Sequence, residues 1–322
     1  MSPAVHVTTQ IMTILSRAVQ SNAGRVAKDL SAAMDGDRDA IHDVRVASRR
    51  LRAALPIASE ATRTDIRPLI RDVRRVTRAF SGLREADVVL GLVQKWPSSG
   101  SWSALALMRL ETRCDQLRAR EFRATRDALA RVDADEMAAH CRTVARSVRQ
   151  DAEPAALAIA LAREVRRRIR DVEEAVAETG IVYAVEPLHR IRIAAKKLRY
   201  TLEVGSRALA GAGPKARREL RLLQSRLGDL HDLQILQEHV RAAAAEAAAE
   251  PALSADLSQM DGVIEVRCRQ AHAGILRTRP RLEAALHEVD RAASALIVPR
   301  AVGRPVRMPR MPATRRKKTA AG

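Results

Sequence analysis

Two rows of basic residues, each headed by a histidine, could bind phosphate. On an α-helix, residues spaced i, i+3, i+7 and i+10 lie along one face. This spacing holds for His42, Arg45, Arg49 and Arg52, here called the first basic row, and for His189, Arg192, Lys196 and Arg199, the second basic row. Arginine and lysine donate charge-assisted hydrogen bonds to phosphate oxygens, and a nearby anion raises the pKa of a histidine. Each row therefore predicts one side of an anion-binding surface.

Further arginines follow each row on the next predicted helix. They share one helical face and are Arg67, Arg71, Arg74 and Arg78 after the first row, and Arg218 and Arg221 after the second. Like charges at these spacings repel by about 0.2–0.5 kcal/mol per pair, unless an anion lies over them. Both helices are therefore candidates for the same surface.

Each of these features also has a plain structural explanation. The rows could be solvated helix faces, and His42 and His189 could be capping or core residues. Arg113 and Arg267, which match each other further along the chain, could reach the basic surface or pair with the glutamate two positions before each of them. A solvated face would not, however, have to recur at a constant separation.

The chain matches itself at such a separation. Residues 42–52, HDVRVASRRLR, align with residues 189–199, HRIRIAAKKLR, at a shift of 147 positions. An internal repeat of this size indicates two similar structural units. We expect a first half at 1–150, a second half at 151–298, and a disordered basic tail at 299–322, where prolines and basic residues alternate without an apolar period.

Composition and periodicity predict an all-α fold for both halves. Only six residues are aromatic, two each of Phe, Trp and Tyr, whereas Ala, Leu and Arg are abundant, which favours helices over sheets. Asp39 is a plausible N-cap of the first motif helix, and Pro187 a first residue of the second. Apolar residues recur with a helical period in twelve segments, at 8–33, 40–60, 63–80, 84–95, 101–131, 134–150, 155–179, 187–210, 214–228, 230–249, 254–278 and 280–297.

The net charge of +19 is concentrated in a few segments. Residues 42–79 carry +6, residues 189–226 carry +9 and the tail carries +8, so the rest of the chain is slightly acidic. Localised charge favours a defined site for a polyanion over nonspecific electrostatic binding. Of the 57 basic residues 50 are arginine, which suits bidentate phosphate binding but could equally reflect a GC-rich genome.

Cysteine usage and hydropathy predict a cytoplasmic protein. Cys114, Cys141 and Cys268 are an odd number without a CxxC pair, so we expect neither a disulfide framework nor a zinc ribbon. We expect Cys114 and Cys268 to be small buried apolar residues. The N-terminal segment lacks the pattern of a secretory signal. The longest apolar run, 155–162, is far shorter than a membrane span, so we expect no membrane partner.

The two motif segments, HDVRVASRRLRAAL and HRIRIAAKKLRYTLE, are followed by LREADVVL and LGDLHDLQIL, and they resemble the two halves of the CHAD family, the conserved histidine α-helical domain. The resemblance covers about residues 5–297. It implies two pseudo-symmetric four-helix bundles whose basic residues line a central groove that binds inorganic polyphosphate, and an association with polyphosphate or polyhydroxyalkanoate granules. The binding residues that it implies are both basic rows together with Arg50 and Lys197.

Departures from the family pattern predict that the two halves contribute unequally to the basic surface and that one route of catalysis is not available. Glu85 stands where the pattern suggests Asp, and Leu222 and Ser225 replace the Arg75 and Arg78 of the first half. Many relatives carry a triphosphatase segment with alternating glutamates, ExExK, and none precedes residue 5 here. We therefore expect no catalysis by that route.

Function classes other than polyphosphate binding have weaker support. A Walker loop, GxGxxG, HExxH, GxSxG and clustered metal carboxylates are missing from the sequence, and the isolated Asp87 and Asp232 fit capping or arginine pairing. We therefore expect a non-enzymatic protein without catalytic residues, metal or cofactor. Nucleic-acid binding is the first alternative, although Tyr200 is the only aromatic residue beside a basic motif. A granule-coating scaffold is the second.

Overall fold

The structure is a computed structural model that describes residues 3–95, 103–206, 208–209, 211–212 and 214–297. Within these residues all regular structure is helical, which confirms the all-α prediction. The helices are α1 (Pro3–Met34), α2 (Arg38–Thr62), α3 (Arg67–Ala79), α4 (Ser81–Lys95), α5 (Ala104–Leu129), α6 (Ala134–Gln150), α7 (Pro154–Ala177), α8 (Val185–Val204), α9 (Pro214–Glu246), α10 (Pro251–Leu276) and α11 (Arg279–Ser294). The predicted basic tail at 299–322 lies outside the described residues.

One predicted helix boundary in the second half is wrong. The two helices expected at 214–228 and 230–249 form the single helix α9, which continues through Gly228. A glycine inside a helix costs only about 1 kcal/mol, and Leu227 and Leu230 on either side of it are both buried, so packing outweighs the propensity. The equivalent position in the first half is Ser81, where α3 and α4 do separate.

The starts of the two motif helices also differ from the prediction. The N-cap of α2 is Asp37, whose side chain accepts a hydrogen bond from Ala40 N at 2.7 Å, so the expected cap Asp39 lies in the first turn. Gly36 precedes this cap with a φ of +93°, a conformation that glycine adopts without strain. Helix α8 already begins at Val185, before Pro187, and has no side-chain cap. The first motif helix is therefore capped more strongly than the second.

The apolar stripes of α2 and α8 face one shared core. Leu51 and Leu55 on α2 and Leu198 on α8 are fully buried, and the buried residues of both halves form one continuous cluster from Ile11 to Ala293. Helix α2 packs against α8 as well as against α7. Because the core is shared, the basic face of each motif helix has a fixed position relative to the other.

The three cysteines are free and buried, which confirms the predicted burial of Cys114 and Cys268. Burial raises the pKa of the Cys114 thiol to about 11 and that of Cys141 to about 12, so both stay protonated near neutral pH. Among the described helices, none combines the length and the apolar character that crossing a bilayer requires.

Candidate functional site

Four cations from the two motif helices meet beside the α2–α8 contact. They are Arg45 and Arg49 on α2 and Arg192 and Lys196 on α8, and we call them the central cluster. Burial, followed by the charges of Arg192, Arg49 and Arg45, lowers the pKa of Lys196 from its usual 10.5 to about 7. The two basic rows, which are 147 positions apart in sequence, therefore converge at their middle residues.

The two arginines at equivalent positions in this cluster are both largely desolvated. Arg45 is 8% exposed, and burial lowers its pKa to about 10. Its Nη1 donates a long hydrogen bond of 3.3 Å to Ser81 Oγ. Burial also lowers the pKa of Arg192 to about 10, and its buried Nε has no hydrogen-bond partner. A desolvated cation with an unused donor is costly, and a bound anion would remove that cost.

Two carboxylates lie beside these arginines. Glu85 on α4 interacts with Arg45, and Asp232 on α9 interacts with Arg192, at sequence positions that are again 147 apart. Burial raises the pKa of both carboxyl groups although the arginines act to lower it. Since Arg84 also interacts with Asp232, the cations outnumber the carboxylates and the site keeps a net positive charge.

The two motif histidines have different surroundings. His42 is exposed in the second turn of α2, whereas His189 is half-buried with its ring 5.5 Å from the ring of His231 on α9. Burial and the neighbouring Arg192 lower the pKa of His231 to about 3, which keeps this histidine neutral. The sequence prediction did not include His231, because Arg84 occupies the corresponding position of the first half.

The first basic row continues from the central cluster onto α3. Burial lowers the pKa of Arg52, and the next causes are the charges of Arg74, Arg78 and Arg49. Arg74 and Arg78 are exposed on α3, as is Arg71. We call Arg52, Arg74 and Arg78 the α3 side of the site. Arg49 connects it to the central cluster, since it acts on Arg52 and on Lys196.

Helix α7 adds two arginines at the same end that were not predicted. Burial lowers the pKa of Lys197, and the charge of Arg168 on α7 lowers it further. Arg168 is already engaged, since it forms ion pairs with Glu164 at 2.8 Å and with Asp171 at 3.0 Å. Arg167 also pairs with Glu164. No repeat counterpart marks these residues, because the position equivalent to Arg168 is Ser21.

The carboxylate of Glu203 on α8 forms ion pairs with two predicted binding residues. Arg50 Nε donates to Glu203 Oε2 at 2.9 Å, and Arg199 Nε lies 3.5 Å from Glu203 Oε1 without forming a hydrogen bond. The Arg199 guanidinium also lies over the ring of Tyr200, 4.6 Å from its centre. Arg218 and Arg221 are exposed on α9. The predicted residues on this side, which we call the α8 side, are therefore partly neutralised.

Neither alternative considered for Arg113 is correct. Arg113 reaches across to α9, where it pairs with Glu246, so it neither joins the central cluster nor pairs with Glu111. Its neighbour Arg109 pairs with Glu250 in the same manner. Glu246 is the last residue of α9 and Glu250 is the N-cap of α10, so the two acids flank the turn between these helices. No local sequence pattern indicates this contact with α5. Arg267 is exposed on α10.

Asp87 has a structural role of the kind that the sequence suggested. Its side chain is 5% exposed, and its Oδ1 accepts a hydrogen bond from Arg118 Nε at 3.0 Å. Arg38 Nε lies 3.2 Å from the same oxygen. Arg118 also donates to Gly36 O at 3.0 Å. Asp87 thus fastens α5 to the turn that precedes the first motif helix.

Comparison with known proteins agrees with this architecture. Two uncharacterised proteins of Mycobacterium tuberculosis are 27% identical over 79% of the chain and 32% identical over 40% of it. The chain spans 48% and 23% of their lengths. The fold resembles the crystal structure of the CHAD domain from the plant Ricinus communis, with a TM-score of 0.58 at 19% identity over 88% of this chain and 91% of that one.

A second solved structure, PptA from Streptomyces chartreusis, superposes with a TM-score of 0.59 at 16% identity over 86% of this chain and 99% of that one. At these identities the two superpositions show the fold alone. The model of the CHAD domain matches residues 17–241, which include both motif helices and most of α9. The chain therefore belongs to the CHAD family.

Proposed function

We propose that this protein binds inorganic polyphosphate at the central cluster. The observation that carries the proposal is the convergence of four cations from α2 and α8, among which Arg192 has a buried Nε without a hydrogen-bond partner. A chain of phosphates would supply acceptors for the cationic groups of the cluster and would relieve the mutual repulsion that, together with burial, lowers the pKa of Lys196. The association of the CHAD family with polyphosphate supports the same ligand.

The surroundings of the cluster favour polyphosphate over nucleic acid. Proteins that bind single strands stack bases on aromatic side chains. Tyr200, the aromatic residue beside the second basic row, is only 5% exposed and is covered by Arg199, so its ring is not available to a base. A ligand that consists of phosphate alone needs no such platform. Nucleic acid would have to bind through phosphate contacts only.

We further propose that binding occurs without chemistry. Phosphoryl transfer requires metal ions or a positioned nucleophile in addition to cations. The carboxylates at the cluster, Glu85 and Asp232, interact with Arg45 and Arg192, which supports a role in balancing charge. A protein that binds polyphosphate in this way would occur in the cytoplasm and on polyphosphate granules, where it could also act as a coat.

Titration of the purified chain with long-chain polyphosphate and with DNA of equal total charge, across a salt series, tests the proposal. We expect tighter binding to polyphosphate, both with and without residues 299–322. Arg192→Gln should weaken binding about tenfold or more, because it removes charge-assisted hydrogen bonds of about 1.5–3 kcal/mol. Arg146→Gln, a change at an exposed position on α6, serves as the control.

Charge reversal at the centre provides a second test. Arg49→Glu combined with Lys196→Glu should abolish most of the binding while circular dichroism shows unchanged helicity, because neither side chain belongs to the shared apolar core. Equal affinity for DNA and polyphosphate, or binding that disappears with residues 299–322, would show that the central cluster is not the site.

A further inference from the structure

We propose that a long polyphosphate chain crosses the central cluster in one direction only, continuing over the α3 side, and that Glu203 closes the α8 side to it. This inference rests on the proposed function, and it identifies Arg74 and Arg78 as binding residues for long chains and Glu203 as a determinant of chain-length preference. It also places Arg218 and Arg221 outside the path, although the repeat suggested that they belong to it.

The α3 side presents cations that no carboxylate neutralises. Among the described contacts, Arg52, Arg74 and Arg78 form no ion pair, and the charges of Arg74 and Arg78 are what acts most on Arg52 after its burial. Arg49 links these three residues to Lys196, so a continuous line of positive charge leads from the middle of the site to α3. Each successive phosphate would therefore meet another cation along this line.

The α8 side presents a carboxylate that engages predicted binding residues, whereas the carboxylates near the α3 side pair with other arginines. Asp72 pairs with Arg75, and Glu164 and Asp171 pair with Arg168. Glu203 holds Arg50 at 2.9 Å and lies 3.5 Å from Arg199, so one negative charge engages two cations. Its position in the repeat corresponds to Pro56, which carries no charge. Glu203 and Arg50 also border a groove that is completed by α1, on a part of the surface to which neither Arg74 nor Arg78 contributes.

The repeat partners of the α3-side arginines continue this asymmetry. Arg78 corresponds to Ser225, and Arg75 corresponds to Leu222, so α9 lacks a cation at two positions where α3 has one. Arg74 does have a cationic partner, Arg221, and both are exposed. Arg74 and Arg221 differ in the residue that would connect each of them to the cluster. The charge of Arg74 lowers the pKa of Arg52, which no described carboxylate pairs with, whereas Arg199, the repeat partner of Arg52, lies beside Glu203.

Electrostatics then selects the direction of the chain. A phosphate that approaches Arg199 must also approach Glu203, and the repulsion between two negative charges a few Å apart is comparable to the attraction of one cation at the same distance. On the α3 side, Arg52, Arg74 and Arg78 have no ion pair among the described contacts, so a phosphate there meets cations that are not paired with a carboxylate. A short polyphosphate can make all of its contacts at the central cluster, whereas a long polyphosphate makes further contacts on the α3 side only.

Matched variants at repeat-related positions test the path. We expect Arg74→Gln and Arg78→Gln each to weaken binding of long-chain polyphosphate about twofold to fivefold, the effect of losing one partly exposed charge contact, and to leave tripolyphosphate binding unchanged. Arg221→Gln should change neither. Equal losses for Arg74→Gln and Arg221→Gln would show that the chain follows both sides and would overturn the proposal.

Removing the carboxylate provides the complementary test. Glu203→Gln keeps the size of the side chain, frees Arg50 and Arg199, and should tighten binding of long chains about twofold to fivefold without affecting tripolyphosphate. Glu173→Gln, at an exposed position on α7, removes the same charge away from the site and should have no such effect. Unchanged long-chain affinity in Glu203→Gln would contradict a closed α8 side.

The outcomes separate this inference from the proposed function. If the unaltered full-length protein binds neither long-chain polyphosphate nor tripolyphosphate, the proposed function fails. If it binds both, and Arg192→Gln weakens both while Arg74→Gln, Arg78→Gln and Glu203→Gln change nothing, the central cluster is the site but the one-directional path is wrong.

Discussion

Arg50 on α2 donates a hydrogen bond from Nε to Glu203 Oε2 on α8 at 2.9 Å, so two residues that are 153 positions apart connect the motif helices. The repeat aligns Arg50 with Lys197, and both were expected to bind phosphate. Their surroundings differ, because a carboxylate pairs with Arg50, whereas burial and the charge of Arg168 lower the pKa of Lys197 and Asp171 opposes this only in part. Equivalent positions in the repeat therefore do not have equivalent electrostatics.

The Arg50–Glu203 pair should contribute little to stability. Both side chains are 36% exposed, and ion pairs at that exposure contribute about 0.2–1 kcal/mol. We expect Glu203→Ala to lower the free energy of unfolding in urea by less than about 1 kcal/mol. Arg50→Ala should behave in the same way, and the double variant should lose less than the sum of the two. A loss of several kcal/mol would show that the pair holds the halves together.

Asp87 should contribute far more than an exposed aspartate. Its side chain is 5% exposed, and its removal would leave Arg118 without its carboxylate, so we expect Asp87→Ala to cost about 3 kcal/mol in urea unfolding. The matched control is Asp72→Ala, which breaks an ion pair with Arg75 at 41% exposure and should cost less than about 0.5 kcal/mol. Similar losses for the two variants would argue against a fastening role for Asp87.

Binding of polyphosphate should weaken as the pH rises above neutrality. Lys196 faces Arg45 and Arg49 from α2, Arg192 from its own helix, and Asp232 and the neutral His231 from α9, and its pKa lies near 7 in the free protein. A bound polyanion favours the charged form and raises this pKa, so binding takes up a proton wherever free Lys196 is neutral.

Affinity should therefore be nearly constant below about pH 6.5 and fall by up to about tenfold per pH unit above about pH 7.5, until the pKa of the bound state is reached. Titration calorimetry in buffers of different ionisation enthalpy measures the proton uptake directly. Lys196→Arg, which stays charged, should remove the pH dependence while keeping the affinity. An unaltered slope in Lys196→Arg would assign the effect to another group.

Lys196 should favour binding but oppose the stability of the ligand-free protein. Because its pKa is lower in the folded protein than in the unfolded chain, the folded state binds fewer protons, so the ligand-free protein should become more stable as the pH rises from about 7 to about 10. Lys196→Met removes the buried charge and should raise the free energy of unfolding at neutral pH by about 1–2 kcal/mol while weakening polyphosphate binding. If Lys196→Met destabilises the protein, the charge is better compensated than the surroundings of Lys196 indicate.

Local periodicity was sufficient to predict the helices and their buried stripes. The helical segments were predicted from the spacing of their apolar residues alone, since a helix that buries one face must repeat its pattern every 3.6 residues. The predicted break at Gly228 failed because the burial of Leu227 and Leu230 is a tertiary effect. The exact helix starts failed for a related reason, since Asp37 caps α2 through a turn at Gly36 that the sequence pattern does not reveal.

The amino-acid sequence by itself determined the all-α class, the two basic rows and their constant separation, because these follow from local periodicity and residue type. Only the tertiary structure decided which cations meet. It places Arg45 and Arg49 near Arg192 and Lys196, and it pairs Arg50 with Glu203 and Arg113 with Glu246. The reason is physical: the free energy of a charge depends on its desolvation and on neighbours from distant segments, and both are set by how helices pack.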